Sequence, residues 1–343
     1  MAIFLNTFLK TLAIFLSITF IVILSSLALN LANNKGDENF IFVSGDENSP
    51  NSLAIIELNG IIIEKNIEFP NLAKNFIISP KQVKNYLDEL VGIAPKIIIF
   101  SINSPGGTVS ASKNLYDIIA KYKKNNDVEI LVHTNELLAS GGYWVSTSAD
   151  EIYASYGSIV GSIGVKGPDW FYYDQPKSIS TGIFGNRIET INGIKVFSNK
   201  AGKSKDIFNP FREPTKQEIK HLQNMVDEIY SDFVQLVSKN RKIEINTIIN
   251  DIGGQIFTSK QALKSHLIDG EISLDELVKR TIKNNNFENY KIIKKNNQEI
   301  FLIKEIFSSN VRNVREFETN FKTQCLSIRT SITAILNYQS TGC

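Results

Sequence analysis

The stretch "KIIIFSINSPGGTVSASKNLYDIIAKYKK", Lys96 to Lys124, decides the fold. Its first eight residues form an apolar, β-branched run closed by turn formers, the mark of a buried strand. Ser104-Pro105-Gly106-Gly107 then breaks the run. From Thr108 the apolar residues recur at helical spacing. A strand, a glycine turn and a helix in that order make half of a parallel crossover unit.

The same alternation extends in both directions. Upstream, "LAIIELNGIIIE" (Leu53 to Glu64) reads as a strand, a turn at Gly60 and a second strand, and "PKQVKNYLDELVGIA" follows with helical spacing. Downstream, "VEILVHT" (Val128 to Thr134) is a strand, a helix is expected after Ser140, and "EIYAS" is a short strand. The glycine-punctuated "YGSIVGSIGV" runs from Tyr156 to Val165. A long amphipathic helix is predicted from Thr215 to about Lys239, because Thr215 followed by Glu218 forms a capping box. "INTIINDIGGQIFTSKQALKSHLIDG" should give a short helix, a turn and strand, and a helix ending near Gly270. The expected class is α/β with parallel pairing.

The flanks differ from this body. Thr11 to Asn34 carries no charge, and "LAIFLSITFIVILSSLAL" within it is apolar and long enough to span a bilayer. The apolar region of a cleavable signal peptide is shorter, ~7–15 residues, so residues 1–35 read as a cytoplasmic stub and a transmembrane anchor. Lys10 lies before the span, which places the N-terminus in the cytoplasm and the body outside it. Residues 36–52 are polar and rich in turn formers, a linker. Residues 53–283 form the folded domain. Beyond Asn284 a Lys- and Asn-rich extension, residues 284–343, contains Val311 to Tyr338, which can form an amphipathic helix on lipid or on a protein surface.

Composition narrows the function. The 343 residues carry a net charge of +2, with 43% hydrophobic and 21% charged residues, so no nucleic-acid surface is expected. The two cysteines, Cys325 and Cys343, have no CxxC spacing, and the three histidines, His133, His221 and His266, are scattered. No metal site and no cofactor are expected.

Chemistry converges on the glycine turns. "INSPGG" (Ile102 to Gly107) opens a helix, where amides and the helix dipole suit a developing oxyanion. "LLASGGYWVSTSAD" (Leu137 to Asp150) sets Ser140 at another strand-to-helix junction. There it is either an ordinary N-cap or a nucleophile. His133 lies in a strand and the other two histidines lie in helices, so a Ser-His-Asp triad is poorly supported. A lysine can take the histidine's place only where its ammonium is desolvated or set among dipoles. "NKAGKSKDIFNPF" (Asn199 to Phe211) offers Lys200, Lys203 and Lys205, each a surface residue by default. Ser162, in "GSIGV" (Gly161 to Val165), can orient such an amine.

Taken in order, "AIIELNGII", "INSPGG", "ASGGYW", "GSIGV", "AGKSKDIFNPFREPT" and "VDEIYSDFVQLVSKNRK" resemble the signal peptide peptidase A family. These are membrane-anchored serine-lysine peptidases with the caseinolytic protease/crotonase-like spiral of β-β-α units. The resemblance spans about Leu53 to Ile282 and the N-terminal anchor. It implies Ser140 as nucleophile, Lys205 as general base, Ser162 as the residue orienting the lysine, and Gly106, Gly107 and Gly141 as the oxyanion and substrate-binding region. It also implies remnant signal peptides or other membrane-associated peptides as substrates, and a homo-oligomeric ring in which a lysine can serve a neighbouring subunit's serine. The segment between Val165 and Lys205 is longer than in short bacterial members. Its aromatics, Trp170 to Tyr173, can line a groove or cover a subunit contact. The competing readings are a crotonase-type acyl-CoA enzyme and an inactive membrane scaffold of the same fold.

Overall fold

The structure, a computed structural model, describes residues 40–64, 76–174, 178–181, 186–189 and 199–296, with six further positions between 10 and 24. The expected anchor, both cysteines and the expected helix at 311–338 lie outside the described residues. Among the described residues no helix is long and apolar enough to cross a membrane.

In chain order, β1 (Phe40–Gly45), β2 (Ser52–Asn59) and β3 (Ile61–Ile62) precede β4 (Ile77–Ile78) and α1 (Pro80–Ile93). Then come β5 (Ile97–Asn103), α2 (Val109–Asn125), β6 (Glu129–Thr134), β7 (Leu137–Ala139), α3 (Gly141–Ser146), β8 (Glu151–Ala154) and β9 (Ile159–Gly161). The long segment that follows carries an antiparallel pair, β10 (Ser178–Thr181) and β11 (Asn186–Glu189). The chain continues through α4 (Lys216–Arg241), β12 (Ile256–Thr258), α5 (Ser259–Lys264), β13 (Gly270–Glu271), α6 (Leu274–Asn284) and β14 (Lys291–Lys295).

Seven strands form the main sheet in the order β1-β14-β2-β5-β6-β8-β13. Every pair in it is parallel except β1 with β14. β5 shows why the sheet is buried on both sides. Ile98 and Phe100 join one apolar cluster with Leu87, Leu115 and Val132, while Ile97 and Ile99 join a second with Leu131, Tyr153 and Leu277. Alternate residues of a strand point to opposite faces, so a run with no polar positions needs cover on each.

The sheet reaches past the expected 53–283 limits at both ends. "FIFVSG" of β1 comes from the stretch read as linker, and β14 from the stretch read as extension. Each is a short strand whose partner lies about 250 residues away in the chain, a pairing that local composition does not encode. The last helix of the "SKQALKSHLIDG" region also stops early, at Lys264, and Gly270 opens β13 instead.

A second, smaller layer matters more for function. β7 pairs in parallel with β9, and β12 closes this layer antiparallel to β9. Bridges join Ser104 to Leu138 and Ile62 to Gly107. After leaving the main sheet, each of β2, β5, β6 and β8 therefore passes through this layer. The loops after β5, β7 and β9 meet there.

Candidate active site

Ser140 sits between β7 and α3 with φ +53° and ψ −122°, and its hydroxyl makes no capping bond to the helix. A serine that only started the helix would have extended backbone and would accept an amide proton from the first turn. Ser140 does neither. An L-residue held at this φ carries local strain, a state found where the surroundings fix a side chain for chemistry. The clamps are visible: the Ser140 N–H donates to the Gly161 carbonyl at 2.9 Å, and its carbonyl accepts from Trp144 at 2.9 Å.

The preceding turn is pinned by a residue that motif reading passed over. Asn103, at the end of β5, accepts at Oδ1 from the Thr134 hydroxyl and from the N–H groups of Asn135 and Glu136, each at 3.0 Å. One buried-edge amide thus fixes the β6–β7 turn that delivers Ser140.

Glycines bring the "SPGG" turn against the serine. A Cβ on Gly106 would lie 2.7 Å from the Gly141 nitrogen and 3.1 Å from the Ser140 Oγ. A Cβ on Gly141 would lie 2.2 Å from the Ser112 Oγ and 3.1 Å from the Gly107 nitrogen. No room exists for side chains, and Gly106 also needs φ +105°. The Gly106 N–H is committed to the Ser104 hydroxyl at 3.1 Å. Those of Gly107 and Gly141 have no acceptor among the described residues. Two free amides beside one hydroxyl can hold an oxygen that gains negative charge.

Ser162 follows β9 as Ser140 follows β7. Ala139 pairs with Gly161, so the two serines leave adjacent strands side by side. Ser162 has φ +55°, and its N–H donates to the Gln255 carbonyl at 2.6 Å. Its hydroxyl forms no hydrogen bond among the described residues.

A cavity of about 10 Å³ opens beside Ser140, lined by Gly107, Val109, Ser112, Trp144, Val165 and Phe233 among others. Lys205 is not part of its lining. The Trp144 ring stacks on Phe233 at 4.6 Å.

The lysine loop is built from charge. Arg212 binds Asp206 and Glu218 together, reaching Asp206 at 3.0 Å and Glu218 at 2.8 Å. Glu218 is also the N3 residue of the Thr215 capping box, so the loop is tied to the first turn of α4. Trp170 from the long segment packs tilted against Phe208 with ring centroids 5.4 Å apart, lies beneath the Arg212 guanidinium at 5.1 Å and donates to the Asn209 carbonyl. Trp170 therefore braces this loop, whereas Phe171, Tyr172 and Tyr173 are exposed. Lys200 pairs with Asp206, and Lys203 donates to Gln217. Lys205 is exposed and makes no side-chain hydrogen bond or ion pair among the described residues.

Hydrogen bonds from Arg212 first, then Lys200, hold the Asp206 carboxyl well below the usual carboxylate range. Arg212 first, then the Thr215 N–H, does the same for Glu218. A depressed carboxyl adds stability above its unfolded pKa and loses it only as pH falls through the lower folded value. The junction should thus stay closed at pH values that protonate ordinary carboxylates. Arg212→Ala should shift its acid opening up to about pH 4, read by hydrogen exchange of the amides of residues 204–219.

The histidines stand apart. The buried His133 ring reaches the Ile272 carbonyl at 3.0 Å, and burial lowers its pKa. His221 lies in α4, and His266 follows α5 with φ +57°. None lines the Ser140 cavity. Among the described residues no group of three or more His, Cys, Asp or Glu is placed to hold a metal ion.

A model of peptidase family S49 matches residues 122–288, which run from α2 through Ser140 and the lysine loop to α6. The putative protease MJ0651 of Methanocaldococcus jannaschii is 36% identical over 223 residues, covering 63% of this chain and 67% of that one. The chain belongs to peptidase family S49. Membership makes it a serine peptidase hydrolase. A putative signal peptide peptidase SppA of Enterococcus faecium is 31% identical over 57% of this chain and 55% of its own length. Protease 4 of Haemophilus influenzae is 27% identical over 68% of this chain but only 35% of its own. The chain thus spans about half or less of these two family members. Among solved structures, a mutant of the 1510-N membrane-bound stomatin-specific protease aligns with TM-score 0.40 at 14% identity, covering 68% of this chain and 85% of that one.

Proposed function

We propose that this S49 chain is a membrane-anchored endopeptidase that works through a Ser140–Lys205 dyad on remnant signal peptides or other membrane-associated peptides. The neutral Lys205 amine takes the proton from Ser140 Oγ, which attacks the peptide carbonyl. The free Gly107 and Gly141 amides hold the oxyanion, and Gly106 gives the turn its shape. The lysine then protonates the leaving amine, and water releases the acyl-enzyme by the same route in reverse. Ser162, beside Ser140, orients the amine.

The observation that carries this reading is the Ser140 elbow, strained at φ +53° and uncapped against two free amides. Lys205 supports it differently. It is exposed and has no side-chain partner among the described residues, and Phe171, Tyr172 and Ile219 of the segments before and after its loop are also exposed. We assign it to the serine of a neighbouring copy in a homo-oligomeric ring, with the apolar side chains covered by the contact. The uncharged stretch Thr11 to Asn34 supplies the anchor, with the catalytic domain on the extracytoplasmic side.

The test is a serine-directed acylating probe read by intact mass and peptide mapping. One adduct per chain, on Ser140, is expected in the wild type. An adduct on another serine would move the nucleophile.

A further inference from the structure

We infer that Asn103 is a positioning residue for the reaction, its side-chain amide setting the separation between the Ser140 hydroxyl and the Gly107 amide. The inference rests on the reading of Ser140 as nucleophile and of Gly107 as an oxyanion donor. It starts from a gap in the topology. β5 and β6 pair in parallel as far as Ser101 and His133, after which their chains part. The small layer takes over only at Ser104, whose N–H donates to the Leu137 carbonyl at 2.7 Å and whose carbonyl accepts from the Ala139 N–H at 3.0 Å. The turn between, Asn135-Glu136, belongs to neither ladder, and both of its residues are exposed.

Asn103 closes that gap. Its Oδ1 takes the N–H groups of both turn residues as well as the Thr134 hydroxyl. Backbone N–H groups only donate, so the atom they meet is the oxygen and the amide has one orientation. Its Nδ2 then donates to Asn59 Oδ1 at 3.1 Å, and its carbonyl accepts from the Gly60 N–H at 2.9 Å. On the far side Asn135 Oδ1 accepts from the Ser155 hydroxyl at 3.0 Å. Side chains thus tie together the ends of β2, β5, β6 and β8, where these strands leave the main sheet.

Both reacting groups lie four residues beyond this knot, Gly107 after Asn103 and Ser140 after Glu136. Each branch has its own outer support. The Gly106 carbonyl accepts from the Ile62 N–H at 2.9 Å, and the Ser140 N–H is held by Gly161. What sets one branch against the other is the Ser104 bridge to β7 together with the Asn103 amide. Without the amide, water can serve the exposed N–H groups of Asn135 and Glu136, so the fold survives while the turn is free to shift. A misplacement of about 1 Å can cost ~10²-fold in rate. Asn103 does not line the Ser140 cavity, so its loss leaves that lining intact.

The test uses the full chain, peptide cleavage and a serine-directed acylating probe read by intact mass. Asn103→Ala should lower kcat by roughly ten- to a hundredfold and leave KM little changed. Asn103→Asp should recover most of that loss, because a carboxylate accepts the same three donors and the Asn59 amide can turn over to donate to it. In Asn103→Ala the probe should still reach one adduct per chain on Ser140, at a rate reduced in step with kcat. A merely structural role would lower the number of reactive chains and leave the rest labelling at the wild-type rate. If Asn103→Ala does not fold, the decision passes to Asn59→Ala, which frees the amide on one side only and should slow the same labelling. Labelling of Ser140 at the wild-type rate in the deciding variant, or an Asn103→Asp as slow as Asn103→Ala, overturns the inference alone. Labelling of another serine in the wild type sinks the nucleophile reading and takes the inference with it.

Discussion

Ser140→Ala is expected to fold and assemble as the parent does and to cleave peptides at least ~10⁴-fold more slowly, as removal of a nucleophile does in serine peptidases. The size of the loss follows from what the hydroxyl is not doing. It caps no helix and has no hydrogen-bond partner among the described residues, so its removal takes away chemistry and little stability. Stability offers an independent check. Alanine keeps the positive φ, so its unfolding free energy should stay within about 0.5 kcal/mol of the parent, as for substitutions away from special contacts. Ser140→Gly removes the Cβ that makes φ +53° costly and should be stabilised by about 1 kcal/mol, in the range of the left-handed penalty. Thermal unfolding of the three proteins reads this directly. Substantial turnover by Ser140→Ala would place the nucleophile elsewhere, and a Ser140→Gly variant less stable than the parent would remove the strain argument.

Lys205→Ala should be as inactive as Ser140→Ala, whereas Lys203→Ala should keep much of its activity. Lys203 is spent on Gln217, and Lys205 is uncommitted among the described residues. The proposed sharing between copies adds a stronger result. Mixing Ser140→Ala with Lys205→Ala subunits in equal amounts should restore about one quarter of wild-type activity, since half the chains keep the serine and half of their neighbours keep the lysine. A dyad confined to one chain predicts no recovery. Activity of the wild type should fall as pH drops, because a base works only as the neutral amine. An activity that rises toward acid would exclude a lysine base.

Much of this was legible from residue order. The run Ile97 to Ile102, the turn formers after it and the helical spacing from Val109 fix a strand, a turn and a helix, because each depends on contacts within a few residues. The Thr215/Glu218 capping box lies three residues apart and was equally readable. The pairing of Phe40–Gly45 with Lys291–Lys295 was not, since an edge strand is chosen by whichever distant segment can complete its ladder. Nor were the tasks of Asn103 and Trp170 legible, as their partners lie on other loops.

Residue types and short spacings by themselves determined an α/β chain with Ser140 and its glycines at strand-to-helix turns, and an uncharged N-terminal stretch. Only the tertiary structure decided that the hydroxyl caps nothing, and that among the described residues the Gly106 amide is taken while those of Gly107 and Gly141 have no acceptor. The reason is physical. Helix and strand follow from periodicities of two to four residues, but whether a polar atom is paired depends on every atom around it in space.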